Sequence, residues 1–170
     1  MNVQRGLRDD AWLALTNPPS PGMTPAKKPV SVLVVIHTAD LRVLLLERAS
    51  RAGYWQSVTG SQEDGESLIE TAAREVAEET GISVPPQRIK DWQITNSFEI
   101  FAEWRHRYAE GVTRNTEHVF SLAVAAEQPV RLAPDEHLNY LWLPWREAAE
   151  KCFSWSNRDA ILMLPEKTAP

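Results

Sequence analysis

The stretch GSQEDGESLIETAAREVAEETGI, residues 60–82, decides the fold because it joins a helix signal to a dense group of carboxylates. Within it, Glu75, Glu78 and Glu79 occupy positions i, i+3 and i+4. At about 100° per residue these positions fall within an arc of roughly 100°, so the carboxylates share one small volume and repel one another. A divalent cation relieves this repulsion, since Mg²⁺ prefers oxygen ligands, water and substrate phosphate. The spacing therefore predicts a metal site for phosphate chemistry.

Signals at both ends of the stretch set the limits of the helix. Ser67 and Glu70 have the spacing of a capping box, and Gly81 stands where a left-handed helix end favours glycine. Gly60 and Gly65 bracket the preceding loop, where a backbone without Cβ can approach a metal or phosphate closely. A largely apolar stripe lies roughly 120° from the glutamates, which suits a helix docked on a sheet. The stripe consists of Leu68, Ile69, Ala72, Ala73, Val76 and Thr80.

The same residues carry a family resemblance. Gly60, Glu66, Arg74-Glu75-Val76, Glu78-Glu79 and Gly81-Ile82 have the identities and spacing of a complete Nudix box. The resemblance implies an α/β fold, a Nudix-type α/β/α sandwich with a mixed β-sheet. It also implies a hydrolase of phosphoric anhydride bonds that uses Mg²⁺ or Mn²⁺.

The resemblance assigns roles to the charged residues of the box. Glu75 and Glu79 are the expected main metal ligands, assisted by Glu78 and the Gly60 carbonyl. Arg74 is expected to orient the carboxylates through hydrogen bonds. We expect the metal-binding face to be exposed, so that Glu79→Gln abolishes turnover without creating a core cavity.

Two further carboxylates belong to the predicted site. Glu66 is expected to be structural rather than catalytic. Glu136 lies in the polar segment 127–137 and is implied by the resemblance as a further metal ligand. Glu79 and Glu136 are both candidates for the general base, because a carboxylate near the reacting water can accept its proton.

Composition sets the broad class. A chain of 170 residues with 43% hydrophobic content suits one compact domain, which we place at residues 25–165. Residues 1–24, with a possible helical turn at Trp12 and Leu13, are predicted to be an extension or linker, and residues 166–170 a tail. The net charge of -5 argues against a nucleic acid polymer but allows a small phosphorylated substrate.

The cysteine content, the apolar runs and the N-terminus bear on the cellular location of the protein. Cys152 is the sole cysteine, so the chain cannot form an internal disulfide. No apolar run approaches the roughly 20 residues that span a bilayer, and the N-terminus is a poor signal peptide. These features predict a cytoplasmic protein without a membrane partner. They do not define the oligomeric state.

The pattern outside the box predicts the remaining elements. Strands are expected at 31–37, 42–48, 55–59, 89–101, 116–125 and 139–143. Helices are expected at 145–151 and 156–164, the second capped by Ser156 or Asn157 and ended by Pro165. Segment 104–108, WRHRY, is either a substrate-facing strand or loop with Arg105 and Arg107 on one side, or an exposed edge protected by charge.

A narrower resemblance extends beyond the box and is carried by four runs: KPVSVLVVIHT, YWQSVTGSQEDGES, FEIFAEWRHRYAEGVTRNTEHVFSL and SWSNRDAI. They resemble the branch of the family that removes pyrophosphate from dihydroneopterin triphosphate, leaving the monophosphate, in bacterial folate synthesis. The resemblance implies substrate contacts at Lys27, Arg48, Thr59, Phe98, Glu99, Ile100, Phe101 and Ser154.

Simpler interpretations remain open for several residues. Lys27, Lys28 and Arg48 either flank the site or are ordinary solvated charges. Trp55 and Trp155 are the tryptophans that we select for ligand contact.

Two other functions of the protein are also open. One is hydrolysis of nucleoside triphosphates or dinucleoside polyphosphates, and the other is that of a non-catalytic Nudix-like binding domain.

Overall fold

A computed structural model describes residues 24–170, so the predicted N-terminal extension lies outside the described residues except for its last member. The strands are β1 (Val30–His37), β2 (Arg42–Arg48), β3 (Trp55–Gln56), β4 (Val58–Ser61), β5 (Ile89–Glu99), β6 (Arg114–Ala123) and β7 (His137–Pro144). The α-helices are α1 (Leu68–Thr80), α2 (Trp145–Lys151), α3 (Trp155–Leu162) and α4 (Leu164–Thr168). Short 3₁₀ segments cover Pro86–Arg88 and Ala102–Arg107.

The strands form a mixed sheet in the order β3-β2-β1-β6-β5. Strand β1 pairs in parallel with β6 along its whole length, from Val30 opposite Thr116 to His37 opposite Ala123. Its other edge is divided, since β4 pairs with the first half of β1 and β2 meets it only at His37. Strand β7 lies on the outer side of β2. Strand β4 therefore lies beside the first half of β1, and helix α1 packs against it there.

The sheet is apolar on both faces, which explains why β1 and β2 read as continuous hydrophobic runs. Val32, Val34 and Ile36 pack in one core with Ala72 and Val76 of α1. The alternate residues of β1 pack on the opposite face against α2 and α3. That second core contains Leu33, Val35, Val43, Leu45, Val119, Ala148, Ala149, Ala160 and Ile161. The predicted α/β sandwich with a mixed sheet is confirmed.

Helix α1 has the predicted limits. Ser67 and Glu70 form both hydrogen bonds of the capping box, and Gly81 adopts a left-handed conformation with φ 75°. The predicted stripe is buried or partly buried in the first core, because it faces the apolar side of the sheet. The sequence signal was strong here because it is local.

Some boundaries differ from the prediction. The strand expected at 55–59 is interrupted at Ser57, whose backbone N–H donates to the Asn157 side chain at 2.7 Å. Helix α3 begins one residue early because Ser154, rather than Ser156 or Asn157, caps it. Pro165 does not end the helical region but lies in the first turn of α4, where its missing N–H has no helical partner to lose.

No helix within residues 24–170 has the length and hydropathy of a membrane span.

Candidate active site

Helix α1 and strand β4 meet at Gly60 and Glu75. A Cβ added to Gly60 would overlap the Glu75 carboxyl group, so the contact requires glycine. Arg74 lies beside this contact and donates to Glu75 Oε1 at 2.9 Å, to Glu78 Oε2 at 3.1 Å and to the Ser61 carbonyl at 3.1 Å. The hydrogen bonds expected of Arg74 to the carboxylates are therefore present.

Glu66 holds Arg74 from the other side. It accepts from the Arg74 guanidinium and from Thr71, whose hydroxyl lies 2.9 Å away. Arg74 lowers the pKa of Glu66 to about 2. Both side chains are about four-fifths buried, at 21% exposed for Arg74 and 19% for Glu66, so solvent screens the ion pair weakly. Glu66 thus fixes the arginine that arranges the metal-facing carboxylates.

The expectation of an exposed acidic face is wrong for two of the three glutamates. Glu75 is 8% exposed and Glu79 3% exposed, and only Glu78 is solvent-facing. Strand β4 lies against Glu75 at Gly60 and the first residue of β7, His137, lies against Glu79, which helix periodicity alone does not reveal. Burial and then the neighbouring charge of Glu79 raise the pKa of Glu75 to about 8. Burial likewise raises the pKa of Glu79.

Glu79 forms the centre of a group that could hold a metal ion. One ligand atom each of Glu79, Glu136 and His137 lies within 4.8 Å of the others. His137 Nε2 is 3.3 Å from Glu79 Oε2, yet neither atom makes a hydrogen bond. Buried polar atoms without partners cost free energy, and a cation coordinated by these carboxylates would remove that cost. The residues present therefore fit a divalent cation.

Three of the cationic side chains in the cavity form no salt bridge within residues 24–170, whereas Lys28 pairs with Asp64 at 2.6 Å and Arg74 with the glutamates. Lys27, Arg48 and Arg107 line the same cavity as the carboxylates. Burial and then the charge of Arg107 lower the pKa of Lys27, whereas Glu75 and Glu136 oppose this change. Mutual repulsion among cations with few partners is relieved by a polyanion, so this group suits a substrate phosphate chain.

The extended form considered for segment 104–108 is wrong, since residues 104–107 belong to a 3₁₀ helix, but the segment does line the cavity through Trp104, His106, Arg107 and Tyr108. A 3₁₀ helix turns about 120° per residue, so Arg105 and Arg107 do not share a side as they would in a strand. Arg105 instead donates to the Ile100 carbonyl at 3.0 Å, while Arg107 lines the cavity. The segment is anchored at Lys27, whose N–H donates to the Arg107 carbonyl at 2.8 Å.

Aromatic rings complete the cavity wall. Phe98 and Trp155 meet edge to face with ring centroids 6.4 Å apart, and the Arg48 guanidinium lies 4.6 Å from the centroid of Trp104. Trp155 is 48% exposed, which leaves ring surface available to a ligand. Trp55, the other tryptophan predicted to contact ligand, packs in the second core and does not line the cavity.

All the predicted site residues line one cavity of about 1280 Å³. They are Lys27, Arg48, Thr59, Gly60, Arg74, Glu75, Glu78, Glu79, Phe98, Glu99, Ile100, Phe101, Glu136 and Ser154. Long-range pairing brings them together from strands β2, β4 and β5, helix α1 and the loops between elements. Their individual roles remain predictions.

Three cavity residues with unpartnered buried polar atoms were missed by sequence reasoning. His137 follows the predicted ligand Glu136 directly and points into the buried group. Asn115 and Glu117 lie on β6, are 4% and 5% exposed and carry side-chain oxygens without partners. A usable signal existed for Glu117, because it is in phase with the buried Val119 and therefore stands at an inward position of a core strand.

The fold and the site define a Nudix hydrolase. The chain matches the NUDIX domain family over residues 27–164, and it belongs to that family. The acidic helix and the glycine-linked strand end described above are the part of the chain that carries the family signature.

Within this family, the chain is similar to particular proteins of known name. The chain is 51% identical over 138 residues to dihydroneopterin triphosphate diphosphatase of Escherichia coli K12, covering 79% of this chain and 91% of that protein. It is 39% identical over 134 residues to the Haemophilus influenzae enzyme of the same name, covering 77% and 84% respectively. The solved structure of the E. coli dihydroneopterin triphosphate pyrophosphohydrolase superposes with a TM-score of 0.79 at 47% identity, covering 85% of this chain and all of that one.

Proposed function

We propose that this protein hydrolyses dihydroneopterin triphosphate to dihydroneopterin monophosphate and pyrophosphate, with Mg²⁺ or Mn²⁺ as cofactor, in folate synthesis. The similarity to the E. coli and H. influenzae enzymes supports the substrate, because it covers most of each chain. Residues 25–165 form the catalytic domain, with the preceding residues as an extension and residues 166–170, which include the last three residues of α4, as a tail. The triphosphate does not cross membranes unaided, so we also propose a cytoplasmic location.

One observation carries the proposal. A single cavity holds buried carboxylates, the cations Lys27, Arg48 and Arg107 and a pair of aromatic rings, and these are the groups that a metal, a triphosphate and a flat heterocycle require. A nucleoside triphosphate would use the same metal and phosphate groups. The similarity to the diphosphatases distinguishes the two, because it extends along the strands and loops outside the acidic helix. A small-molecule partner follows, rather than a nucleic acid polymer or a membrane.

We assign the metal to Glu75 and Glu79 as main ligands and Glu136 as a further ligand, with Glu78 and the Gly60 carbonyl assisting. When bound, the ion supplies Lewis-acid polarisation of the phosphoryl oxygens and makes water a better nucleophile. Arg74 keeps the Glu75 and Glu78 carboxylates oriented through its hydrogen bonds.

The remaining residues position the substrate and move the proton. Lys27, Arg48 and Arg107 hold the phosphate chain and offset its charge as it redistributes during cleavage. A Glu136 carboxylate oxygen accepts the proton of the attacking water, since this carboxylate is exposed whereas that of Glu79 is buried. Phe98 and Trp155 pack against the pterin ring.

Steady-state hydrolysis of dihydroneopterin triphosphate beside a panel of nucleoside triphosphates tests the proposal. Pyrophosphate and orthophosphate are followed separately, with Mg²⁺ and with chelator. We expect Mg²⁺-dependent release of pyrophosphate and a higher kcat/KM for the pterin. A higher kcat/KM for a nucleotide would reassign the substrate, and the absence of turnover across the panel would favour a binding domain.

A further inference from the structure

A buried polar pair lies on strand β6, on the face of the sheet opposite α1. Asn115 and Glu117 are in phase with Val119, which belongs to the core under α2 and α3. The register places Glu117 beside Ser31 of β1 and beside Asn96 of β5. Both members of the pair line the large cavity. The pair is therefore separate from the acidic face of α1 but open to the same ligand space.

The pair presents acceptors that nothing in the described chain satisfies. The Asn115 amide nitrogen donates to the Ser31 hydroxyl at 2.7 Å, which leaves Asn115 Oδ1 as the free atom of that side chain. Asn115 Oδ1 and Glu117 Oε1 are both buried without a hydrogen-bond partner. Buried polar oxygens normally have partners, so two neighbouring exceptions at a cavity wall point to a ligand with donor groups.

The lack of a cation beside Glu117 within the described part of the chain also points to a ligand with donor groups. Burial raises the pKa of Glu117, and the side chains of Ser156 and Asn96 only partly oppose this effect. Among residues 24–170, no lysine, arginine or histidine forms a salt bridge with it. A buried carboxylate with one free oxygen and no cation is stabilised most by N–H donors of a bound molecule.

Aromatic rings frame the pair. Phe98 lies opposite Asn115 across the β5–β6 ladder, and its ring meets Trp155 edge to face. Trp155 opens the first turn of α3, directly after the Ser154 cap. A flat heterocycle can pack on these rings while its edge points at the two acceptors. The geometry thus selects a planar ligand with two adjacent donors.

We propose that Glu117, supported by Asn115, recognises the donor edge of the pterin ring, formed by its N3–H and its 2-amino group. This inference rests on the proposed function and deepens it, because it names the residues that select the heterocycle. The two free acceptors, Glu117 Oε1 and Asn115 Oδ1, provide one acceptor for each of these two donors. Glu117 would then act in substrate selection, at a distance from the carboxylates that hold the metal.

The test compares two substrates in the full-length protein. One is dihydroneopterin triphosphate, and the other is its analogue with an oxo group in place of the 2-amino group. Wild-type protein should prefer the 2-amino substrate, since the oxo group would place an acceptor against a carboxylate. E117Q offers a donor at that point. We expect it to lower kcat/KM for the 2-amino substrate about 10- to 100-fold and to shift the preference towards the 2-oxo analogue.

Controls separate recognition from folding. E110Q makes the same change at an exposed position outside the cavity and should leave both kcat/KM values unchanged. Glu117→Asp keeps an acceptor and should keep the preference for the 2-amino substrate. Should E117Q fail to fold, Glu117→Asp carries the test of Glu117, and competitive inhibition of the wild type tests recognition of the 2-amino group. Neopterin should then inhibit at least tenfold more strongly than its 2-oxo counterpart.

The outcomes distinguish the inference from the function on which it rests. If the wild type hydrolyses dihydroneopterin triphosphate but E117Q loses both substrates equally, Glu117 is merely structural and the inference is overturned. Unchanged substrate preference in E117Q overturns it as well. If the wild type hydrolyses neither pterin, the proposed function itself fails and the inference falls with it.

Discussion

Gly60 and Glu75 are in direct contact, and the space that a Cβ on Gly60 would need is occupied by the Glu75 carboxyl group. The strand end and the helix are therefore fitted to each other at a metal-facing carboxylate. This relationship explains why the position before the acidic helix must be glycine even though its backbone conformation does not demand it.

Gly60→Ala should displace the Glu75 side chain and lower kcat/KM at least 100-fold while the protein stays folded. The cost in unfolding free energy should be about 1–3 kcal/mol, because the new methyl group overpacks the contact. Urea denaturation and pyrophosphate release measure the two effects. In a Glu75→Ala background, Gly60→Ala should cost almost no stability, since the clashing carboxyl group is gone. An equal loss of unfolding free energy in both backgrounds would show that the Gly60–Glu75 contact is not the cause of the destabilisation.

Glu79→Gln should lower turnover with Mg²⁺ by at least 100-fold, because a buried ligand charge is lost at the centre of the acidic group. Glu78→Gln is the matched control, since its carboxylate is 56% exposed and lies at the edge of the group. Its effect should stay within about tenfold. Steady-state kinetics over a range of Mg²⁺ concentrations measures both variants. Equal losses in the two variants would contradict the central position of Glu79.

The Glu66–Arg74 pair predicts a specific loss of stability in acid. Arg74 holds the folded-state pKa of Glu66 at about 2, below its ordinary value of 4.5. A depressed pKa means that the pair stabilises the fold above pH 4.5 and that this stabilisation disappears as pH falls towards 2. The difference in unfolding free energy between wild type and Glu66→Gln should shrink across that window. A constant difference from pH 6 to pH 2 would refute the assignment.

The raised pKa of Glu75 predicts that the stability of the metal-free protein falls as pH rises, the opposite of the effect of Glu66. Its folded-state pKa is raised to about 8 from 4.5, so the protonated form is favoured in the fold. The stability that this group contributes is full below pH 4.5 and is lost as pH rises through about 8. Thermal melts with chelator should therefore show falling Tm across this range, and Glu75→Gln should flatten the change. Added Mg²⁺ should restore the wild-type Tm at pH 8, because ligand binding to the fold stabilises it.

Arg105 and Arg107 form a matched pair on one 3₁₀ segment. Arg107→Ala should raise KM and lower kcat/KM about 10- to 100-fold, because Arg107 lines the cavity beside two other cations. Arg105→Ala removes a hydrogen bond to the Ile100 carbonyl and should change kcat/KM less than threefold. Steady-state kinetics with the pterin triphosphate measures KM and kcat/KM for both variants. Equal effects would favour the extended conformation that the alternating sequence suggested.

The predictable part of the site was the part encoded by local spacing. Ser67, Glu70 and Gly81 set the limits of α1 through contacts within a few residues, and the periodicity of the glutamates placed their side chains together. The burial of Glu79 was not predictable from this periodicity. It depends on His137 and on a sheet end that the chain reaches more than 50 residues later, so its expected exposure was wrong.

The sequence by itself determined the identity of the acidic helix, the apolar strands and the family, because propensity, capping and helical spacing are local properties. Only the tertiary structure decided which residues share the cavity with that helix. The parallel pairing of β1 with β6 brings Glu117 beside Ser31, and the cap of α3 brings Trp155 over the same wall. Such juxtapositions depend on strand order and register, which are set by the burial of whole faces rather than by any short segment.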